Sequence, residues 1–160
     1  MALHLDLNIE NEDLIPRDDV LITITRGGYA KRMKTSEYRS QSRGGVGITG
    51  IKTKENDIVE HVISTSTHDF LLFFTNLGRV YKLKGYQIPE GNRTSKGIPL
   101  VNMINFQDGE HLAAVTNISD IANQEQCIFF ATKKGIIKRT SVSQFQNIRT
   151  NGINAINLTE

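Results

Sequence analysis

Three stretches of the chain share one order of apolar and polar positions: "LITITRGGYAKRMK" from Leu21, "LLFFTNLGRVYKLK" from Leu71 and "IFFATKKGIIKRTS" from Ile128. In each, an apolar, β-branched or aromatic run ends in threonine, and after two variable residues comes glycine: Thr25…Gly28, Thr75…Gly78 and Thr132…Gly135. A second strand-like run follows, carrying lysine and arginine. The pattern predicts a β-hairpin whose turn puts glycine where φ is positive. Ten residues beyond each glycine stands a bulky apolar residue, Tyr38, Ile88 or Phe145. Next comes an arginine that leads to another glycine: Arg43-Gly-Gly-Val-Gly47, Arg93-Thr-Ser-Lys-Gly97 and Arg149-Thr-Asn-Gly152. These turns run into "ITGIKT", "IPLVNMINF" and "INAINL". The glycine-rich stretch "QSRGGVG" at residues 41–47 is thus the first copy of a repeated turn between strands.

After the first two turns a further short strand is expected, "VEHVIS" and "HLAAVT". No long stretch has a 3.6-residue period, so helices are not expected. A unit of about 50 residues with four short strands is the signature of a propeller-like blade. The fold expected is all-β, a partial ring of about three four-stranded blades, against the four to eight of closed propellers. The segments are an acidic leader and first strand at 1–19, blade one at 20–69, blade two at 70–126 and an incomplete blade three at 127–160.

Charge sharpens this picture. Asp6, Glu10, Glu12, Asp13, Asp18 and Asp19 face Arg17 alone in residues 1–19, which leaves 18 basic against 11 acidic residues over 20–160. A basic body behind an acidic leader points to a polyanionic partner. The single cysteine, Cys127, excludes an internal disulfide framework and a cysteine zinc site, and its setting in "CIFFAT" predicts a buried strand thiol. His4, His61, His68 and His111 lack metal-ligand spacing, and His68-Asp69 falls where an Asx-type turn suffices. Asp57 and Asp108 also read as turn residues. The N-terminus lacks the features of a signal peptide, and no apolar run reaches the ~20 residues of a membrane helix. Those features point to the cytoplasm.

The absence of tryptophan removes repeats of the WD type, and the Gly44-Gly45 pair is not repeated as a kelch blade would require. The sequence resembles the C-terminal domain family of the DNA gyrase A subunit. The resemblance lies in the acidic "EDLI" leader at Glu12–Ile15, the hairpin Gly28-Tyr29-Ala30-Lys31-Arg32 and the glutamine-led basic turn known as the gyrase A box. It extends to "STHDFLLFFTNLGRVYKLKGYQIPEGNRTSKGIP" and "KRTSVSQFQNIRTNG", and so from Asp13 to Thr159. It implies a β-pinwheel, a propeller-like disc of about six blades that exchange strands, of which this chain is the first half. The disc wraps double-stranded DNA around a basic rim and so directs negative supercoiling. The partners implied are the gyrase B subunit and the rest of the gyrase A subunit, in the bacterial cytoplasm at the nucleoid. The chain itself looks non-catalytic and without cofactor. ATP and magnesium belong to other parts of the parent enzyme, and Tyr29, Tyr38, Tyr81 and Tyr86 occupy blade positions rather than that of a nucleophile.

One departure stands out. The box has Ser42 and Val46 where the family has basic residues, leaving Arg43. Loss of two cations removes about two phosphate contacts. A gyrase with a divergent box and the related topoisomerase IV A subunit, whose box is degenerate, are both compatible with it.

The expected DNA contacts follow the repeated hairpins and turns. They are Lys31, Arg32, Lys34, Gln41, Arg43, Gly44, Gly45 and Gly47 in blade one, then Arg79, Lys82, Lys84, Arg93 and Lys96 in blade two. Blade three adds Lys133, Lys134, Lys138, Arg139 and Arg149. Cations at equivalent points of successive blades form a stripe that counterion release rewards, and box glycines allow backbone N–H groups to approach phosphate. Alternation sends Lys31 and Arg32 to opposite faces. Arg43, Arg93 and Arg149 have a second reading as braces of their own turns. Two further function classes fit the residues: a protein-interaction propeller whose rim meets an acidic partner, and a half-ring that self-associates.

Overall fold

The computed structural model describes residues 12–37, 57–119, 121, 123, 125–131, 135, 137–148 and 152–154. Three antiparallel hairpins form where the repeats lie: β1 (Asp19–Thr25) with β2 (Tyr29–Lys34), β4 (Phe70–Thr75) with β5 (Arg79–Lys84), and β8 (Cys127–Ala131) with β9 (Ile137–Ser141). Their turns carry Gly28, Gly78 and Gly135 at φ of 86°, 75° and 83°. The threonine of the motif is functional within the turn: the Thr25 carbonyl accepts from Gly28 N at 2.9 Å and its hydroxyl accepts from Tyr29 N at 3.1 Å.

The additional strands are β3 (Val59–Ser66) and β7 (Leu112–Ile118), which pair with β1 and β4. Both pairings slip by a residue at the motif threonine, between Ile24 and Thr25 and between Phe74 and Thr75. Asp69 closes the β3–β4 turn, its Oδ2 accepting from the Thr65 hydroxyl at 2.8 Å and from Ser66 N at 3.0 Å. The His68-Asp69 pair is therefore engaged in turn geometry, with His68 Nε2 2.7 Å from Ile15 O. Asp57 serves a turn likewise, its Oδ1 accepting from Gly27 N at 2.9 Å.

Each complete sheet takes its fourth strand from the next repeat. The short strands β6 (Ile98–Pro99) and β10 (Ile153–Asn154) follow the repeated turns, and the sheet orders are β3-β1-β2-β6 and β10-β5-β4-β7. The sheets are thus not cut where the sequence repeats are cut: the first sheet spans residues of blade one and ends with Ile98 and Pro99 of blade two. The glycine before each exchanged strand permits the join. A Cβ at residue 97 would lie 2.6 Å from Ala30 O, and one at residue 152 would lie 2.8 Å from the Tyr81 ring. Both glycines also have positive φ, 86° and 72°, so no other residue fits without strain.

Strand alternation gives every hairpin two faces, and the core lies between facing hairpins. Val20, Ile22, Ile24 and Ala30 pack against Leu71, Phe73 and Tyr81, joined by Ile88, Leu100 and Ile104. The opposite face of the second sheet, Leu72 and Val80 with Phe70 and Phe74, packs against Ile128, Phe130, Val142 and Phe145. Ile88 and Phe145, the residues ten beyond the hairpin glycines, are 0% and 2% exposed. Phe74, Phe130 and Phe145 meet edge to face, a geometry worth about 0.5–1.5 kcal/mol per pair beyond the area buried. The remaining face of the third hairpin is open, with Phe129 and Ile137 exposed.

A buried polar cluster ties the second sheet to the loop before β7. Glu110 accepts from the Thr75 hydroxyl at 2.5 Å, from the Tyr81 hydroxyl at 2.6 Å and from Gln107 N at 2.9 Å. Burial pushes the Glu110 carboxyl up, but the bonds from Thr75, Tyr81 and Gln107, with the charge of Arg79, prevail and hold it below its ordinary value of 4.5. Among the described residues no helix is long and apolar enough to cross a membrane.

Candidate nucleic-acid interface

The basic residues of the hairpins divide into those consumed by the joints between repeats and those left at the surface. Lys31 is 3% exposed. Its ammonium donates to three carbonyls of the next repeat's turn, Ser95 at 2.8 Å, Asn92 at 3.0 Å and Arg93 at 3.3 Å. Burial lowers its pKa. With all three N–H donors used inside the protein, Lys31 is not among the cations at the surface. Arg32 points to the other face, as alternation requires, and its Nε donates to Ile88 O at 2.9 Å.

The equivalent residue of the second repeat repeats this strut. Lys82, like Arg32 four residues beyond the hairpin glycine, donates to Gln146 O of the third repeat at 2.6 Å and stands 5.0 Å from the Phe70 ring centre. Burial, and then the charge of Lys84, lower its pKa. Lys84 lies over the same ring at 3.9 Å, donates to His68 O at 3.1 Å and pairs with Glu12 at 3.4 Å. Arg79 donates to Gly152 O at 3.5 Å beside Tyr81. Lys34 is half-buried and shares an open cleft of about 510 Å³ with Arg17, Asp18, Asp19, Thr35 and Ser36. The two aspartates there offset its attraction for an anion.

The second-copy turn is organised from within by Asn92. Its Oδ1 accepts from Thr94 Oγ1 at 2.7 Å, Ser95 N at 2.9 Å and Thr94 N at 3.0 Å. The backbone N–H groups of Thr94 and Ser95 are therefore both turned to a side-chain oxygen. The Asn-x-Thr spacing is an Asx-turn signal that could have marked this turn in the sequence. Glu110 has no such signal, since one acid before a strand carries no sequence mark of burial. On the turn, Arg93 is half-buried and Lys96 exposed; on β9, Lys138 and Arg139 are exposed. Arg139 Nε donates to Cys127 Sγ at 3.2 Å. The thiol is half-buried rather than buried, because β8 has one open face. Gln41, Arg43, Gly44, Gly45, Gly47, Lys133, Lys134 and Arg149, with Tyr38, Ser42 and Val46, lie outside the described residues. Among the described residues no group of three or more histidine, cysteine, aspartate or glutamate side chains could hold a metal ion.

A family model described as DNA gyrase C-terminal domain, beta-propeller, matches residues 19–66, 69–119 and 128–160. The chain belongs to this gyrase C-terminal domain family. The three matched blocks each open at or beside the first strand of one hairpin, so the family's repeat is the repeat seen here. The DNA gyrase A subunit of Streptococcus pyogenes serotype M1 is 51% identical over 154 residues, which is 96% of this chain and 19% of that protein. The DNA gyrase A subunit of Halalkalibacterium halodurans is 51% identical over 151 residues, 94% of this chain and 18% of that protein. The chain thus spans about a fifth of the length of these curated relatives. Two solved structures share the fold at 24% identity. The C-terminal domain of DNA topoisomerase IV has a TM-score of 0.73 over 92% of this chain and 44% of that one. The DNA gyrase A C-terminal domain has a TM-score of 0.70 over 89% of this chain and 45% of that one. The gyrase family fold is therefore an all-β, propeller-like pinwheel in which neighbouring blades exchange strands.

Proposed function

We propose that this chain is a non-catalytic module that binds duplex DNA without reading its sequence, as the wrapping surface of a gyrase A subunit. The observation that carries the reading is the gyrase family match across all three repeats, at 51% identity to gyrase A subunits. The surface supports it: Lys96 on the turn and Lys138 and Arg139 on β9 are exposed. Contacts of this kind go to phosphate and carry no base readout. The wrap would direct negative supercoiling in an enzyme whose remaining gyrase A segments and gyrase B subunit hold the ATP and magnesium chemistry, at the bacterial nucleoid. The named sequence relatives favour gyrase over topoisomerase IV, which the fold alone does not separate.

Fluorescence anisotropy with a random-sequence duplex of some tens of base pairs tests the reading. Affinity should fall linearly with salt on a log–log plot and be equal for unrelated sequences. Three exposed cations, Lys96, Lys138 and Arg139, give a slope of about −3; adding Arg43, Lys133, Lys134 and Arg149 steepens it to about −6. No binding at low salt overturns the reading and favours an acidic protein partner for the rim.

A further inference from the structure

Among the described residues, Lys31 is a buried ammonium without a carboxylate in hydrogen-bond or ion-pair contact. Its polar contacts there are the carbonyls of Asn92, Arg93 and Ser95, 61 to 64 residues away in the next repeat. Burying a lysine costs free energy that a bland packing residue would avoid. The matching position of the second repeat shows the alternative: it holds Tyr81, whose hydroxyl goes to Glu110 and Asn105 O. The lysine clasp is therefore a feature of the first joint, and the turn it grips carries Arg93 and Lys96.

We infer that Lys31 is a positioning residue for DNA: by drawing three carbonyls of the Asn92–Ser95 turn inward, it holds the exposed Lys96 toward the duplex. The inference rests on the function proposed above. Carbonyl oxygens turned inward are kept from the phosphates, where their negative ends would repel. The ammonium also places a unit of positive charge beneath the turn, in surroundings that screen it less than water does. Asn92 holds the same turn through its own side chain, so without Lys31 the turn persists but its carbonyls lose three donors at once and reorient.

Three measurements on the full chain test this. In ¹⁵N-lysine spectra the Lys31 ammonium should exchange slowly enough to be observed, and Lys31→Met should shift the amides of residues 92–97. Lys31→Met should weaken binding to a random duplex by about tenfold and flatten the salt slope by about one. In a double-mutant cycle, Lys96→Ala should cost less affinity in the Lys31→Met background than in the original chain. Glu110→Gln is the control, since it destabilises the fold away from this turn and should leave affinity unchanged well below its unfolding temperature. Additive losses in the cycle, or equal weakening by Glu110→Gln, overturn the inference, because Lys31 would then act only through stability. Unchanged binding by Lys31→Met overturns the inference alone, whereas no binding by the unsubstituted chain overturns the DNA reading and this inference with it.

Discussion

The second and third hairpins carry nearly the same pattern and occupy opposite environments. Leu72 and Val80 are 0% exposed, whereas Phe129 and Ile137, at the equivalent positions, are 68% and 71% exposed. The first hairpin agrees with the second, with Ile22 and Ala30 at 0%. The cations obey the same rule: Arg32 and Lys82 are each tied to a carbonyl of the following repeat, while Arg139 donates to its own hairpin's thiol. An alternating strand specifies which face is apolar, but whether that face is buried, and whether a cation on it is a strut or a surface charge, depends on a repeat packing against it.

The largest test of this comparison is truncation of the equivalent side chains. Leu72→Ala should cost about 3–5 kcal/mol in denaturant unfolding, and Phe129→Ala less than about 1 kcal/mol, because only the first leaves a cavity. Equal costs would mean that the open face is covered in solution.

The glycines extend the comparison. Gly97→Ala meets both positive φ and the Ala30 carbonyl, whereas at Gly135 a Cβ has nothing within 4 Å. Gly135→Ala should therefore cost about 1–2 kcal/mol, the penalty of a left-handed conformation alone. Gly97→Ala should cost more and loosen the β2–β6 pairing, visible as faster amide exchange at Ala30.

Next in size is the acid sensitivity of the second sheet. Because the folded Glu110 carboxyl lies below its ordinary value of 4.5, the unfolded chain takes up its proton first as pH falls. The stabilisation is thus complete above pH 4.5 and is lost as pH drops through the folded value. Unfolding free energy measured from pH 6 to pH 3 should decline less steeply in Glu110→Gln than in the original chain, about a unit of pH being worth 1.4 kcal/mol per group.

The smallest effects separate strut from surface cation. Lys96→Ala should flatten the salt slope of duplex binding by about 0.9 while leaving stability within about 0.5 kcal/mol. Arg32→Ala should do the reverse, costing about 1–3 kcal/mol of stability through the lost bond to Ile88 O, with a smaller change in slope.

Much of the fold was legible because repeated local chemistry has few solutions. Thr-x-x-Gly between apolar runs demanded a tight turn, and Gly28, Gly78 and Gly135 take it. The residue ten beyond the glycine was apolar because it is buried between sheets, as Ile88 and Phe145 show. The candidate site was less legible. Lysine and arginine on an alternating strand read alike whether they face water or a neighbour's carbonyls, so Lys31, Arg32 and Lys82 were indistinguishable from Lys138 and Arg139. Nor did the pattern reveal that the box-turn amides of Thr94 and Ser95 are bonded to Asn92.

The sequence by itself determined the hairpins, their turns, the two-faced strands and the unit that repeats, since each rests on interactions among residues close along the chain. Only the tertiary structure decided that β6 and β10 complete the sheets of the preceding repeat. It alone assigned Lys31, Arg32 and Lys82 to the joints and left Lys96, Lys138 and Arg139 outside. The physical reason is that burial and hydrogen-bond partnership are properties of a pair of surfaces, and the second surface comes from residues some 60 positions away, as in the bond from Lys31 to Asn92.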